Sequence, residues 1–260
     1  MTARWHLITL RNVTEVRQPP TTCTDVFAAR TRELWNEALG RRLDILIAGC
    51  GRPLPDSPLR TGLNAGETRI TGVDEDRPAL RARAQMRGDL DEWKLGDLRS
   101  VPLPQRSVDV VRCEFLLERI RHAELVLDRL VAALRPGGLI LLRLRDGGTA
   151  YGFWARAVPR PLRALFWSRL APPDEVGPLP AVYEPVSSRE GIHAYCLMRG
   201  LVIAEEHLAT SGNALRGRFA PLASAACRLV AILSAGRLTA THDEVTLVIR
   251  KPQNHFARLL

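Results

Sequence analysis

Lysine is nearly absent. Of the 37 cationic residues among 260, only Lys94 and Lys251 are lysines; the rest are arginine. Against 28 acidic residues the net charge is +9, a balance that can mark partners such as nucleic acid, an anionic membrane surface or an acidic substrate. The arginine skew, with abundant Ala, Leu and Pro, reads instead as a coding bias. No dense basic run is interleaved with aromatics, so a nucleic-acid partner has only the charge in its support and is not expected. Cysteine is also sparse. Cys23, Cys50, Cys113, Cys196 and Cys227 are scattered, odd in number and form no CxxC pair, which excludes the usual zinc-site spacing and a disulfide framework. No metal is expected, and a reducing, cytoplasmic setting fits best. Long apolar runs are missing too. Trp5–Leu10 is too short for a signal peptide. Phe219–Ala235 contains Arg228 and falls short of the ~20 residues that span a bilayer, so a buried or surface-lying helix is expected there.

What remains is an ordinary globular composition, 46% hydrophobic and 25% charged, with enough chain to bury a full core. A strand over Leu7–Val16 and a helix from Thr24 or Asp25 to Leu39 form an N-terminal extension, residues 1–40. From Leu43 strands and helices alternate, as a parallel sheet with crossover helices requires. Strands are predicted at Asp44–Ala48, at Arg69–Val73, from Trp93 to near Asp97, at Val108–Cys113 and at Leu139–Leu144. Helices are predicted at Arg77–Met86 and Ala123–Leu134, the second with an apolar stripe of Leu125, Leu127, Leu130, Val131 and Leu134 and stopped by Pro136, Gly137 and Gly138. Residues 147–187 lack a clear period and read as an insertion or lid within a domain spanning 41–260. Ser188 caps a helix to Met198 with Gly200 as its stop. Strands at Leu201–Glu206 and Glu244–Ile249 flank a helix within Leu215–Gly236.

Three strand ends carry chemistry. Ala48-Gly49-Cys50-Gly51 puts closely spaced glycines directly after a strand, where backbone can approach a ligand. Gly72-Val73-Asp74 follows at the distance expected of a ribose-binding carboxylate, with Glu75 and Asp76 continuing into the loop. Leu95-Gly96-Asp97-Leu98 places an acceptor and a backbone donor where an adenine could lie. Together they describe a nucleoside site at the carboxyl ends of parallel strands.

The set Ile45–Gly51, Thr71–Asp74 and Gly96-Asp97, with Val101–Val111 and Leu134-Arg135-Pro136-Gly137-Gly138-Leu139, resembles the class I S-adenosylmethionine-dependent methyltransferases of the bacterial type 11 kind. The likeness covers about Leu43 to Arg145. It implies a Rossmann-like, doubly wound α/β fold: a seven-stranded, mostly parallel sheet with an antiparallel last strand. It further implies S-adenosylmethionine as cofactor, held by Ala48, Gly49, Cys50, Gly51, Asp74, Glu75, Gly96, Asp97, Leu98 and Cys113. Two positions depart from the pattern. Ile47 stands where the family places an acidic residue, and Pro53, after Arg52, stands where it places a third glycine.

The catalytic step is less legible. Methyl transfer is an in-line displacement in which the enzyme aligns the nucleophile and, for a hydroxyl, removes a proton. Glu114, Asp146 and His193 are the candidate bases. Tyr151–Trp154 and Phe166-Trp167, with Arg156, Arg160, Arg163 and Arg169, form an aromatic and basic segment that either covers the acceptor or lies on lipid head groups; Pro159 and Pro161 favour the cover. The expected activity is methyl transfer to a small-molecule, lipid or sugar acceptor, at oxygen. A noncatalytic binding module, motivated by Ile47 and Pro53, and an RNA methyltransferase, motivated by the charge, are the alternatives.

Overall fold

Apolar runs bounded by glycine or aspartate become the strands of one sheet. The computed structural model describes residues 23–51, 63–64, 66–157, 182–210, 220–235 and 237–253; the Leu7–Val16 strand, Arg52, Pro53 and most of the insertion lie outside them. Helix α1 (Cys23–Glu37) precedes β1 (Leu43–Ala48), β2 (Thr68–Asp74), α2 (Pro78–Met86), β3 (Glu92–Leu95), β4 (Val108–Glu114), α3 (Ala123–Ala133) and β5 (Leu134–Arg145). Then follow α4 (Ala150–Ala157), α5 (Arg189–Arg199), β6 (Val202–Ala209), α6 (Ala220–Leu233) and β7 (Glu244–Arg250).

The strand order is β3-β2-β1-β4-β5-β7-β6. β1 pairs in parallel with both β2 and β4, and β7 runs antiparallel to β5 and β6. This is the Rossmann-like sheet expected, with six strands one way and β7 the other. The order reverses between β1 and β4, which opens a crevice at their carboxyl ends.

Strand residues alternate between two cores. On one face Val111, Cys113, Ile140 and Leu142 pack with Leu127 and Leu130 of α3 and Ile192 and Tyr195 of α5. On the other, Ile45, Ile47, Val110 and Leu141 pack with Val26 and Phe27 of α1 and Ala84 of α2. Helix α1 is thus an integral layer, although it falls within the N-terminal extension. At the opposite edge from the crevice, buried Asp109 ties three elements together. Its carboxylate accepts from Arg41 at 2.6 Å, from Arg135 at 2.6 Å and from the Asp44 N–H at 2.9 Å. Burial opposes this charge, but those donors outweigh it and hold the carboxyl below its ordinary range.

Two local expectations are corrected. The predicted α3 stripe included Leu125, which is exposed; the buried stripe runs Val126, Leu127, Leu130, Ala133, the 3.6-residue period taken one position later. Arg135-Pro136-Gly137-Gly138 does not form a separate turn. β5 begins at Leu134 immediately after the helix, beside Val108 across an irregular register. The Gly137 N–H donates to Lys251 O and the Lys251 N–H to Gly138 O, so the stretch finds its hydrogen bonds at the end of β7. The Ser188 cap and Gly200 stop of α5 are found as expected, with Ser188 Oγ accepting from Gly191 N.

The insertion has ordered ends. α4 forms directly after β5, and residues 182–187 return over the loop that follows β4. The Val182 and Tyr183 N–H groups donate to Glu118 O, and Ser187 Oγ donates to Leu117 O. Glu184 caps α3 by accepting from His122 and Ala123 N–H. The Gly147 N–H meets Ser187 O at 3.0 Å, closing the insertion where it leaves the sheet.

Candidate functional site

Register aligns the chemistry along one edge. Ala48 pairs with Val73 on one side and Cys113 on the other, and Asp74 pairs with Leu95. The segments Gly49–Gly51, Asp74-Glu75, Gly96–Leu98 and the exit of β4 therefore all emerge at the carboxyl ends of neighbouring strands.

The glycine turn folds back onto β2. Gly49, at φ +88°, and Cys50 both donate to Val73 O. Gly51 lies against α2 so closely that a Cβ there would come within 2.6 Å of Leu80 O. Asp74 is fully buried and braces this turn: Oδ2 accepts from Gly51 N at 2.9 Å and Oδ1 from Glu75 N at 2.8 Å. Arg87 donates to Cys50 O at 2.7 Å from the other side. Burial, and then the Asp74 charge, push the Cys50 thiol up to about 12, so it is a packing group and not a nucleophile. Glu75 is only partly buried and pairs with Arg77 at 3.0 Å. Asp97 is exposed and gripped by Arg99 through Nε and Nη2, which holds its carboxyl at about 2. Leu98 beside it is buried.

On the acceptor side the three proposed bases occupy different surroundings. Glu114 is buried in an ion-pair array, against Arg112 Nε and 3.8 Å from Arg143, which in turn holds Glu244. Arg112 is the register partner of Ile47 and lies over the Phe27 ring. The Glu114 oxygens are taken up by guanidinium groups and are not open to an acceptor. His193 lies on the outer surface of α5, 3.2 Å from Glu206, which Arg189 already holds. Asp146 is buried at the end of β5. Its Oδ1 accepts from Gly148 N and Arg189 N, and Oδ2 lies 3.0 Å from His242 Nε2.

His242 and Glu118 were not foreseen. His242 is buried just before β7, and its Nδ1 lies 3.1 Å from the hydroxyl of exposed Thr241. In the tautomer whose Nε2 donates to the Asp146 carboxylate, Nδ1 is left to accept from the Thr241 hydroxyl. A lone histidine before a strand carries no sequence signal; only the fold brings it to Asp146, 96 positions earlier. Glu118 is wholly buried beneath Tyr183, and burial raises its carboxyl above the ordinary range. Its Oε2 has no hydrogen-bond partner among the described residues. Among those residues no group of three or more His, Cys, Asp or Glu could hold a metal ion.

The chemistry of this edge is compatible with a nucleoside cofactor: partly buried Glu75 and exposed Asp97 offer carboxylate acceptors for hydroxyl and amino groups, and buried Leu98 and Cys113 are apolar. Comparison with known proteins bears on the family. Residues 46–142 match the methyltransferase domain family Methyltransf_11. The chain is 24% identical over 131 residues to a ubiquinone/menaquinone biosynthesis C-methyltransferase, UbiE, of Ruegeria sp., covering 45% of this chain and 51% of that protein. It is 27% identical over 130 residues to UbiE of Roseobacter denitrificans, with the same coverage. The chain thus spans about half the length of the curated relatives it matches. In fold it is similar to the CurJ carbon methyltransferase, with a TM-score of 0.53 at 14% identity over 88% of this chain and 54% of that one. An S-adenosylmethionine dependent methyltransferase from Mesorhizobium loti gives 0.50 at 18% identity, over 85% and 96%.

Proposed function

The chain belongs to the class I S-adenosylmethionine-dependent methyltransferase family, and from that premise we propose that it transfers the cofactor's methyl group to an apolar small-molecule or lipid acceptor. The observation that carries this reading is the convergence of the glycine turn, Asp74-Glu75 and Gly96–Leu98 on one edge at the reversal of strand order. In this reading Asp74 and Glu75 serve the ribose, Glu75 with the more accessible carboxylate. Asp97 and Leu98 serve the adenine, and Ala48–Gly51 with Cys113 serve the methionyl end. When bound, the cofactor supplies an electrophilic methyl on a sulfonium.

This chain's part is to align the acceptor and take its proton. The exposed Thr241 hydroxyl receives the acceptor's proton as it passes its own to His242 Nδ1. Asp146 orients the ring and stabilises the imidazolium that forms, the logic of a nucleophile–His–Asp triad used as a proton relay. Oxygen is the first choice of acceptor atom, because a hydroxyl has a proton that this relay can remove. Carbon is the second, because both curated relatives are named C-methyltransferases.

Calorimetry with S-adenosylhomocysteine tests the cofactor assignment, and binding is expected; no heat from folded protein would refute it. Incubation with methyl-labelled cofactor and a cell extract tests the transfer. Label in the organic phase is expected. Label in RNA would favour an RNA methyltransferase, and homocysteine-adduct binding with no transfer to any fraction would favour a noncatalytic module.

A further inference from the structure

Helices α4 and α6 sit side by side beyond the ends of β5 and β7. Ala150 N donates to Thr239 O, and Thr149 and Thr239 form a parallel bridge. Tyr151, whose phenol is raised first by burial, lies near Cys227, the buried Asp243 and Arg228. A helix on a water-soluble domain normally turns its apolar stripe inward. α6 buries Cys227, yet leaves Ile232 at 74% and Leu233 at 76% exposure, with Leu229 also exposed. On α4 the exposed Phe153 and Trp154 rings meet edge to face.

The exposed charges on α4, on α6 and just after α6 have one sign, and the nearby Asp243 is buried. Arg156, Arg228 and Arg237 are exposed, and neither helix contains an acidic residue. The sequence extends the bias. From Asp146 to Asp174 and from Glu206 to Asp243 no acid intervenes, while Arg156, Arg160, Arg163, Arg169, Arg216, Arg218, Arg228 and Arg237 do. No described helix is long and apolar enough to cross a membrane; α6, with 14 residues, is about 21 Å long against a hydrocarbon core of ~30 Å.

We infer that the α4–α6 face docks onto an anionic phospholipid bilayer, with the aliphatic and aromatic side chains in the interfacial layer and the arginines on the head groups. An aromatic pair beside aliphatics and arginine is the composition that interfacial helices use, and negative lipid supplies the counter-charge the face lacks. A second copy of the chain would set arginine against arginine across a two-fold axis. RNA would find guanidinium groups but, in Ile232 and Leu233, no stacking platform or hydrogen-bonding edge. If the functional reading above holds, this docking sets the β5–β7 edge beside an acceptor drawn from the lipid.

The test is flotation of the full chain with vesicles of phosphatidylcholine alone and with about a third phosphatidylglycerol. Flotation is expected with the mixed vesicles only, falling as salt rises. Ile232→Glu with Leu233→Glu should abolish it. Arg228→Gln and Arg237→Gln should each weaken it about fivefold. Calorimetry with S-adenosylhomocysteine on the same samples checks that the variants remain folded, and it reads the cofactor site separately from the docking face. Failure to float with anionic vesicles, flotation of the Ile232/Leu233 variant equal to the parent, or retention on RNA or self-association in place of lipid binding would overturn the proposal.

Discussion

Replacing Asp74 with asparagine keeps shape and volume but removes one acceptor. Both carboxylate oxygens take backbone N–H groups, Gly51 at 2.9 Å and Glu75 at 2.8 Å, and the side chain has no contact with bulk water. Asparagine offers one oxygen to two donors, so its amide NH2 must face an N–H. The loss is one charge-assisted bond, worth ~1.5–3 kcal/mol, together with an unsatisfied buried donor at ~1–3 kcal/mol. The two overlap, so a total of about 3 kcal/mol is expected. Where it falls is informative. If the turn unlocks while the sheet holds, S-adenosylhomocysteine affinity drops about a hundredfold, as ~1.4 kcal/mol corresponds to a factor of ten. If the turn is part of the cooperative unit, the urea midpoint falls as well. Glu75→Gln is the companion variant. Its carboxylate is partly exposed, so affinity should fall about tenfold with the midpoint unchanged. Calorimetry and urea unfolding on both variants give the comparison. An Asp74→Asn protein with parental midpoint and parental affinity would refute the bracing role.

Two further outcomes follow from the geometry. Gly51→Ala forces a Cβ to within 2.6 Å of Leu80 O and 2.9 Å of Leu80 Cα; backbone cannot yield as a side-chain tip can, so α2 must retreat at a cost of ~1–3 kcal/mol, read by urea unfolding. Asp109, whose carboxyl is depressed in the fold, contributes stability that is complete above the unfolded value of about 4 and is lost as pH falls through the lower folded value. Unfolding midpoints measured downward from pH ~5 should therefore fall in the parent, and Asp109→Asn should flatten that fall; an equal slope in both would assign the acid sensitivity elsewhere.

The strands were legible because buried parallel strands are short apolar runs ending in glycine or aspartate, as Leu46–Gly49 and Val73-Asp74 show. Helix α5 was legible from its two ends, Ser188 and Gly200. β5 was misjudged at its start because Pro136, Gly137 and Gly138 ordinarily signal a turn; the hydrogen bonds that keep them beside the sheet come from Lys251, over a hundred residues later. The same distance hid the acceptor side. Glu114 reads as an isolated acid, but Arg143 and Arg112 pair with it. His242 reads as an isolated base, and Asp146 gives it direction. Sequence spacing placed the glycine turn, Asp74-Glu75 and Gly96–Leu98 on one edge because each lies directly after a strand. It could not find pairs that only the sheet order brings together.

The closure at Gly147 and Ser187 bears on length. A segment whose entrance and exit are tied together, Gly147 N–H to Ser187 O and Arg189 N–H to Asp146 Oδ1, can be lengthened or shortened without moving β5 or α5. The entropic cost of a longer flexible loop is slight, ~0.6 kcal/mol for each doubling. The stretch between these residues is therefore where related chains of different size should differ most, and where a segment from another such chain could be grafted while the glycine turn and its carboxylates stay in register.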